Sequence, residues 1–169
     1  MASQVEAWLR GPLPGVDPYL MPAAHALVQA GEELEAVAGL SPRQLLATPG
    51  GIASLDFHLR HVAAATERLL TYARGRALTP EQLAQASAEK EATQSPDAAT
   101  LVAEARTALE HALAEICATP RERLLEPREV GRQRLPSTVL GLLSHIAEHA
   151  ARHAGQVVTT LRVVRSLEA

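Results

Sequence analysis

Apolar residues recur at the spacing of one helix face in four long segments of this chain, and proline or glycine punctuates each of them. From about Pro18 to Ala38 the recurring residues are Leu20, Ala24, Leu27, Ala30, Leu34 and Val37, with Gly39 and Pro42 closing the run. A second helix is expected from about Gly51 to Ala73–Arg74, between Pro49-Gly50 and Gly75. A third fits Asp97 to Ala118 and stops at Pro120; the last begins near Pro136-Ser137 and runs to about Ser166. No stretch of any length alternates as a strand would, and no internal repeat is visible. Four helices with one apolar face each pack as a bundle, so the expected class is all-α, a four-helix bundle. One domain is expected over residues 1–169, with 1–18 an N-terminal arm rich in proline and glycine behind a short amphipathic start around Trp8. The connections 39–50, 75–96 and 119–135 are long. Residues 76–96 read as irregular apart from a short helix after Thr79-Pro80-Glu81, where Thr79 suits the N-cap and Pro80 the first turn. Up-down-up-down order is the default topology, with one crossover the alternative.

Aromatic residues make up only 2% of the chain, so the core must be built from Leu, Val and Ala, which suits closely packed helices. The net charge of −3 offers no basic face for nucleic acid. No run approaches the roughly 18 apolar residues of a membrane span, and no basic region followed by an apolar run marks a signal peptide. Cys117 is the single cysteine, which excludes an intrachain disulfide and fits a cytoplasmic location. It lies in an Ala/Leu/Ile helical pattern and reads as a small core residue, not a nucleophile. Fifteen of the sixteen basic residues are arginine, Lys90 being the exception. Arg121, Arg123, Arg128, Arg132 and Arg134 interleave with Glu122, Glu126 and Glu129, either as a solvated charged loop or as an anion-binding rim.

Five of the seven histidines fall in two short stretches: His58 and His61 in the second helix, His145, His149 and His153 in the last. Residues four apart share a helix face, so two imidazoles can hold one metal ion. On the wheel of the last helix His153 lies about 50° from the apolar direction, His149 about 90° and His145 about 130°, with Glu148 opposite. His149 and His153 thus flank the core face, where a neighbouring helix can add a third ligand, and His145 sits at the rim. His145-x-x-Glu148-His149 also matches the reversed zincin motif, but Glu148 faces solvent and no second domain makes a peptide cleft. H-E-x-x-H and the paired Glu-x-x-His of di-iron bundles are absent. In the second helix most large apolar residues share a face from which His58 lies about 60° and His61 about 120°, so the wheel alone selects His58.

Two segments, Ser54-Leu55-Asp56-Phe57-His58-Leu59-Arg60-His61-Val62 and His149-x-x-x-His153-x-Gly155-Gln156, give the chain a resemblance to the DinB-like superfamily (damage-inducible, YfiT-type metal-binding four-helix bundles). The resemblance covers the four-helix layout across roughly residues 20–166. By position it implies His61, His149 and His153 as the three metal ligands, with His58 as the substitute or as a partner orienting a ligand ring. Phe57, about 40° from His61 on the wheel, hints at a second buried edge on His61's side. Gly155 is expected to allow close helix approach, and Gln156 to hydrogen-bond a ligand or substrate or to be a plain polar helix residue.

The resemblance implies a divalent metal, zinc or nickel, in a cleft at one end of the bundle, a small-molecule substrate, and a homodimer. Some members are thiol S-transferases that use low-molecular-weight thiols such as bacillithiol or mycothiol, with the Arg-rich loop as a candidate site for the carboxylates of such a cofactor. Metal-dependent hydrolysis is the alternative enzyme reading, although neither Glu148 nor Asp56 nor Glu67 is clearly placed as a base. A non-enzymatic metal-binding or dimeric stress-response bundle is the third.

Overall fold

The computed structural model describes residues 5–89 and 97–167. Lys90 and the end of the stretch read as irregular lie outside them, as do the first four residues of the arm. The helices are α1 (Met21–Leu34), α2 (Pro42–Leu46), α3 (Leu55–Ala73), α4 (Pro80–Ala88), α5 (Ala98–Ala118) and α6 (Val139–Ser166), with short strands β1 (Pro127–Val130) and β2 (Leu135–Thr138) between α5 and α6. The protein is all-α apart from that hairpin, and its four long helices form the expected bundle.

Helix starts follow side-chain capping. Ser54 accepts from the Phe57 amide, Asp97 from Thr100, and Thr138 from Gly141, so each satisfies an amide that the first turn leaves unpaired. These caps place the start of α3 at Leu55 instead of Gly51, and that of α6 at Val139 instead of Pro136. Thr79 caps α4 in a capping box with Gln82, as expected. The same device at Ser41 and Gln44 builds α2 inside a segment read as a plain connection, and Leu45 of α2 is fully buried.

The hairpin was not expected. Strands of four residues are too short for alternation to show, and prolines at 127 and 136 argue against them. It is antiparallel, pairing Pro127 with Thr138 and Val130 with Leu135, and its turn uses positive φ at Gly131 (71°) and Arg134 (51°).

Around the bundle, α1 packs between α5 and α6, and α3 does the same on the opposite corner. Of the four long helices, α1 and α3 therefore sit diagonally, as do α5 and α6, whereas α3 and α5 lie side by side; the order in which every chain neighbour lies side by side is not adopted. The long connections make this crossing feasible. The core is aliphatic: Leu20, Leu27, Leu34, Leu55, Leu59, Leu70, Leu101, Leu143, Ile116 and Ile146 are fully buried, with Ala24, Ala105, Ala112, Ala150 and Ala154 filling the narrow places. Cys117 is exposed and is not part of this core.

The arm lies against α1. The Ala7 amide donates to Gln29 Oε1 at 3.0 Å, Arg10 forms a two-point pair with Glu32, and His25 Nε2 meets the Gly11 carbonyl at 2.9 Å. Among the described residues, no helix is long and apolar enough to cross a membrane.

Leu59 has no exposed surface. Leu59→Ala is expected to lower unfolding free energy by about 2–5 kcal/mol in urea denaturation, whereas a loss under about 1 kcal/mol would mean that this part of the core repacks.

Candidate metal centre

Four histidines meet where α3 and α6 face each other. His58 Nδ1 lies 2.9 Å from His153 Nδ1, and His61 Nε2 lies 3.2 Å from His149 Nε2. Because 58 meets 153 while 61 meets 149, the helices run antiparallel. His61, His149 and His153 each bring one ligand atom within 4.8 Å of the others, forming a group able to hold a metal ion. Their rings are close, with centroids 4.5 Å apart for His149–His153 and 4.7 Å for His61–His153.

The expected trio is thus brought together, and His58 is not one of it. The wheel was right that His58 is the deeper residue, at 5% exposure. It misses His61 because α3 contacts both α5 and α6, which buries a wider arc than one stripe. Phe57 marks that second edge: its ring stacks on His61 at 5.3 Å and 10°.

The chemistry of the donor set fits a cation. His61 Nδ1 lies 2.9 Å from Glu89 Oε2, so a neutral His61 donates its single N–H there and turns the lone pair of Nε2 toward His149. His149 can donate to that lone pair across 3.2 Å in its Nε2–H tautomer; in the other tautomer both lone pairs face each other and suit a cation between them. Ligands at about 2.0–2.1 Å from a tetrahedral ion are themselves about 3.3 Å apart, which matches. His153 has Nδ1 occupied by His58, which leaves Nε2 for another partner. His149 Nδ1 is buried with no hydrogen-bond partner.

The electrostatics keep these rings neutral. Burial, followed by the neighbouring His61, His145, Arg152 and Arg68, pushes His149 down to about 4. Burial and the other three histidines bring His153 down to about 4. His58 is lowered by burial and by His61. A metal ligand must be an unprotonated imidazole, so the site is prepared for one at neutral pH.

The other candidates fall outside the cluster. His145 is at the rim, its ring 6.0 Å from that of His149, and Glu148 points to solvent, paired with His145 and Arg152. That orientation leaves the reversed zincin reading without its base. Asp56 is paired with Arg60, and Glu67 with His111. Gln156 and Gly155 are exposed, and a Cβ on Gly155 would meet nothing within 4 Å, so the glycine is not needed for helix approach.

The Arg-rich loop is at the far end of α3. Arg128 donates to the Ala73 carbonyl at 2.7 Å, and Ala73 lies twelve residues beyond His61, about 18 Å along the helix axis. Arg121 pairs with Asp17, Arg123 with Glu126, and Arg134 with Glu129. Closeness to the start of α6 in sequence is not closeness to the histidines, and a rim of arginines around the metal centre is not what forms.

The residues that sequence reasoning missed are Glu89 and Arg68. Glu89 ends α4 and receives both His61 Nδ1 and Arg68 Nη1. No periodicity links position 89 to position 61; the nearest signal is the capping box that founds α4.

Two outcomes are expected. His58, His149 and His153 have folded-state values below the ordinary 6.5, so between pH 6.5 and about 4 the unfolded chain binds more protons than the folded one. Metal-free protein should therefore lose stability as pH falls through that window, and His149→Gln/His153→Gln should flatten the profile; parallel profiles in denaturant titrations would refute this. Separately, Gly155→Ala should raise stability by about 0.5–1 kcal/mol, read from urea midpoints, because a mid-helix glycine is replaced where space is open.

No curated protein matches the chain. The family model of the DinB superfamily matches residues 26–157, a span that runs from within α1 through most of α6 and takes in all four clustered histidines. The helical bundle, the paired histidine segments on α3 and α6, and this match over most of its length together place the chain in the DinB superfamily.

Proposed function

We propose that the chain is a divalent-metal-dependent enzyme whose zinc or nickel is held by His61, His149 and His153, and that it transfers a low-molecular-weight thiol to a small electrophile. The observation that carries the metal reading is the convergence of the three rings, each with a ligand atom within 4.8 Å of the others. A divalent metal on three neutral imidazoles with a position left open supplies Lewis acidity, which favours the thiolate form of a thiol.

The remaining work falls to the chain's own residues. Phe57 and Glu89 hold the plane and tautomer of His61, and His58 does the same for His153. In the transfer the thiol releases its proton to solvent. Its sulfur bonds to the electrophilic carbon while the leaving group departs with the bonding pair.

The placement of the carboxylates favours transfer over hydrolysis. Hydrolysis is helped by a base that takes a proton from water. Glu148 faces solvent, Asp56 is held by Arg60, Glu67 by His111, and Glu89 by His61 and Arg68. A thiol, with its ordinary pKa of about 8.5, needs far less assistance than water.

The test is metal analysis by mass spectrometry, followed by conjugation assays of bacillithiol, mycothiol, glutathione and cysteine with monobromobimane. About one metal per chain is expected in the wild type and none in His149→Ala/His153→Ala, with thiol consumption lost in step. Full metal content in the double variant would show the ligand assignment to be wrong. Metal without thiol-dependent turnover would reduce the protein to a metal-binding bundle.

A further inference from the structure

We infer that Glu89 is the positioning carboxylate of the metal centre, and that through it the docking of α4 is coupled to metal binding. The inference rests on the metal reading above and adds to it a residue outside the histidine motifs.

Helix α4 contributes no buried residue, and Leu83, its large apolar side chain, is 44% exposed. Apolar burial therefore does little to hold it. Its attachments to α3 are polar and lie at its two ends. Gln82 Nε2 donates to Thr71 Oγ1 at 2.9 Å near the start. Beyond the last turn, Glu89 takes Arg68 Nη1 on one oxygen and His61 Nδ1 on the other. The Glu89 side chain is only 12% exposed, unusual for a carboxylate on an otherwise solvated helix, and its two partners account for that depth.

His61 is constrained on three sides. Phe57 stacks on its face, Glu89 accepts from Nδ1, and Nε2 is left pointing at His149 Nε2. A neutral imidazole has one N–H, so the carboxylate chooses the tautomer, and that choice gives Nε2 the lone pair a cation needs. A carboxylate on the far nitrogen of a ligating histidine also raises its basicity. A cation on Nε2 polarises the ring and strengthens the Nδ1–H···Glu89 bond in return. Binding free energies are reciprocal: whatever factor α4 docking adds to metal affinity, metal adds to α4 docking. A nine-residue helix is marginal by itself, so α4 that undocks also melts, and its amides report docking.

The experiment uses the full chain, with zinc competed against a chromogenic chelator and hydrogen exchange followed across α4. Relative to wild type, Glu89→Ala is expected to weaken zinc affinity about 10–100-fold, the usual cost of losing such a partner. Glu89→Gln, which still offers an oxygen to Nδ1–H without the charge, should fall between the two. Zinc should slow exchange in α4 of the wild type by the factor that Glu89→Ala removes from affinity, and should leave α4 of Glu89→Ala unchanged. A merely structural Glu89 would loosen α4 in the metal-free protein yet leave zinc affinity within about twofold, and that result overturns the inference. The two readings fail separately: a wild type that binds neither zinc nor nickel overturns the metal reading and this one together, whereas a zinc-binding wild type with an indifferent Glu89→Ala overturns only this one.

Discussion

Helices α3 and α6 lie side by side and antiparallel, and that contact decides which histidines meet. His61 lies three positions after His58 on α3 and His153 four positions after His149 on α6, about one turn in each case. Antiparallel packing therefore matches the pairs rung by rung, 58 with 153 and 61 with 149. Parallel packing would instead match 58 with 149 and 61 with 153. The diagonal placement of α1 and α3 is part of the same constraint, since α3 packs on both α6 and α5.

Four imidazoles in one contact are an expense for a bundle this short of aromatic residues. Burial of polar rings is unfavourable unless they are paired, and burial of charged rings far more so. The protein meets this by lowering the proton affinity of His58, His149 and His153 and by pairing ring nitrogens, His58 with His153, His61 with Glu89 and His61 with His149. His149 Nδ1 is the exception, buried and unpartnered. The depressed proton affinity that follows from burial is the property that leaves the rings available to a metal at neutral pH, so one desolvation cost serves both packing and ligation.

Much of this was legible before the fold was known. Helical periodicity, with proline and glycine stops, located the long helices to within a few residues, and α5 came out at almost its observed bounds. The misses share a cause: they depend on short elements or on distance through space. Helix α2 has five residues and each strand four, too few for a period to show, although the Ser41–Gln44 capping box was there to be read. Cys117 sits among Ala and Ile yet faces outward, because a helix rich in alanine has an indistinct apolar face. The Arg-rich loop precedes the histidine-bearing helix in the chain, but α6 is long enough to carry its histidines away from it.

The two histidines of α3 show why a single helical wheel is a weak guide to a site. A wheel weighs side chains by one mean apolar direction, which describes a helix on a flat core. Helix α3 sits at a corner and touches two long neighbours, so its buried arc is wide and the mean direction lies nearer to His58 than to His61. The deepest residue on such an arc is poorly placed to meet an incoming molecule. It can orient a neighbour, as His58 does through His153 Nδ1. The edge of the arc is where a side chain touches the next helix and still opens to solvent, and His61, with 22% of its side chain exposed, is on that edge. Depth thus separates the two histidines of α3 into a ring that orients its neighbour and a ring that opens to solvent, and only the position of α6 reveals which edge that is.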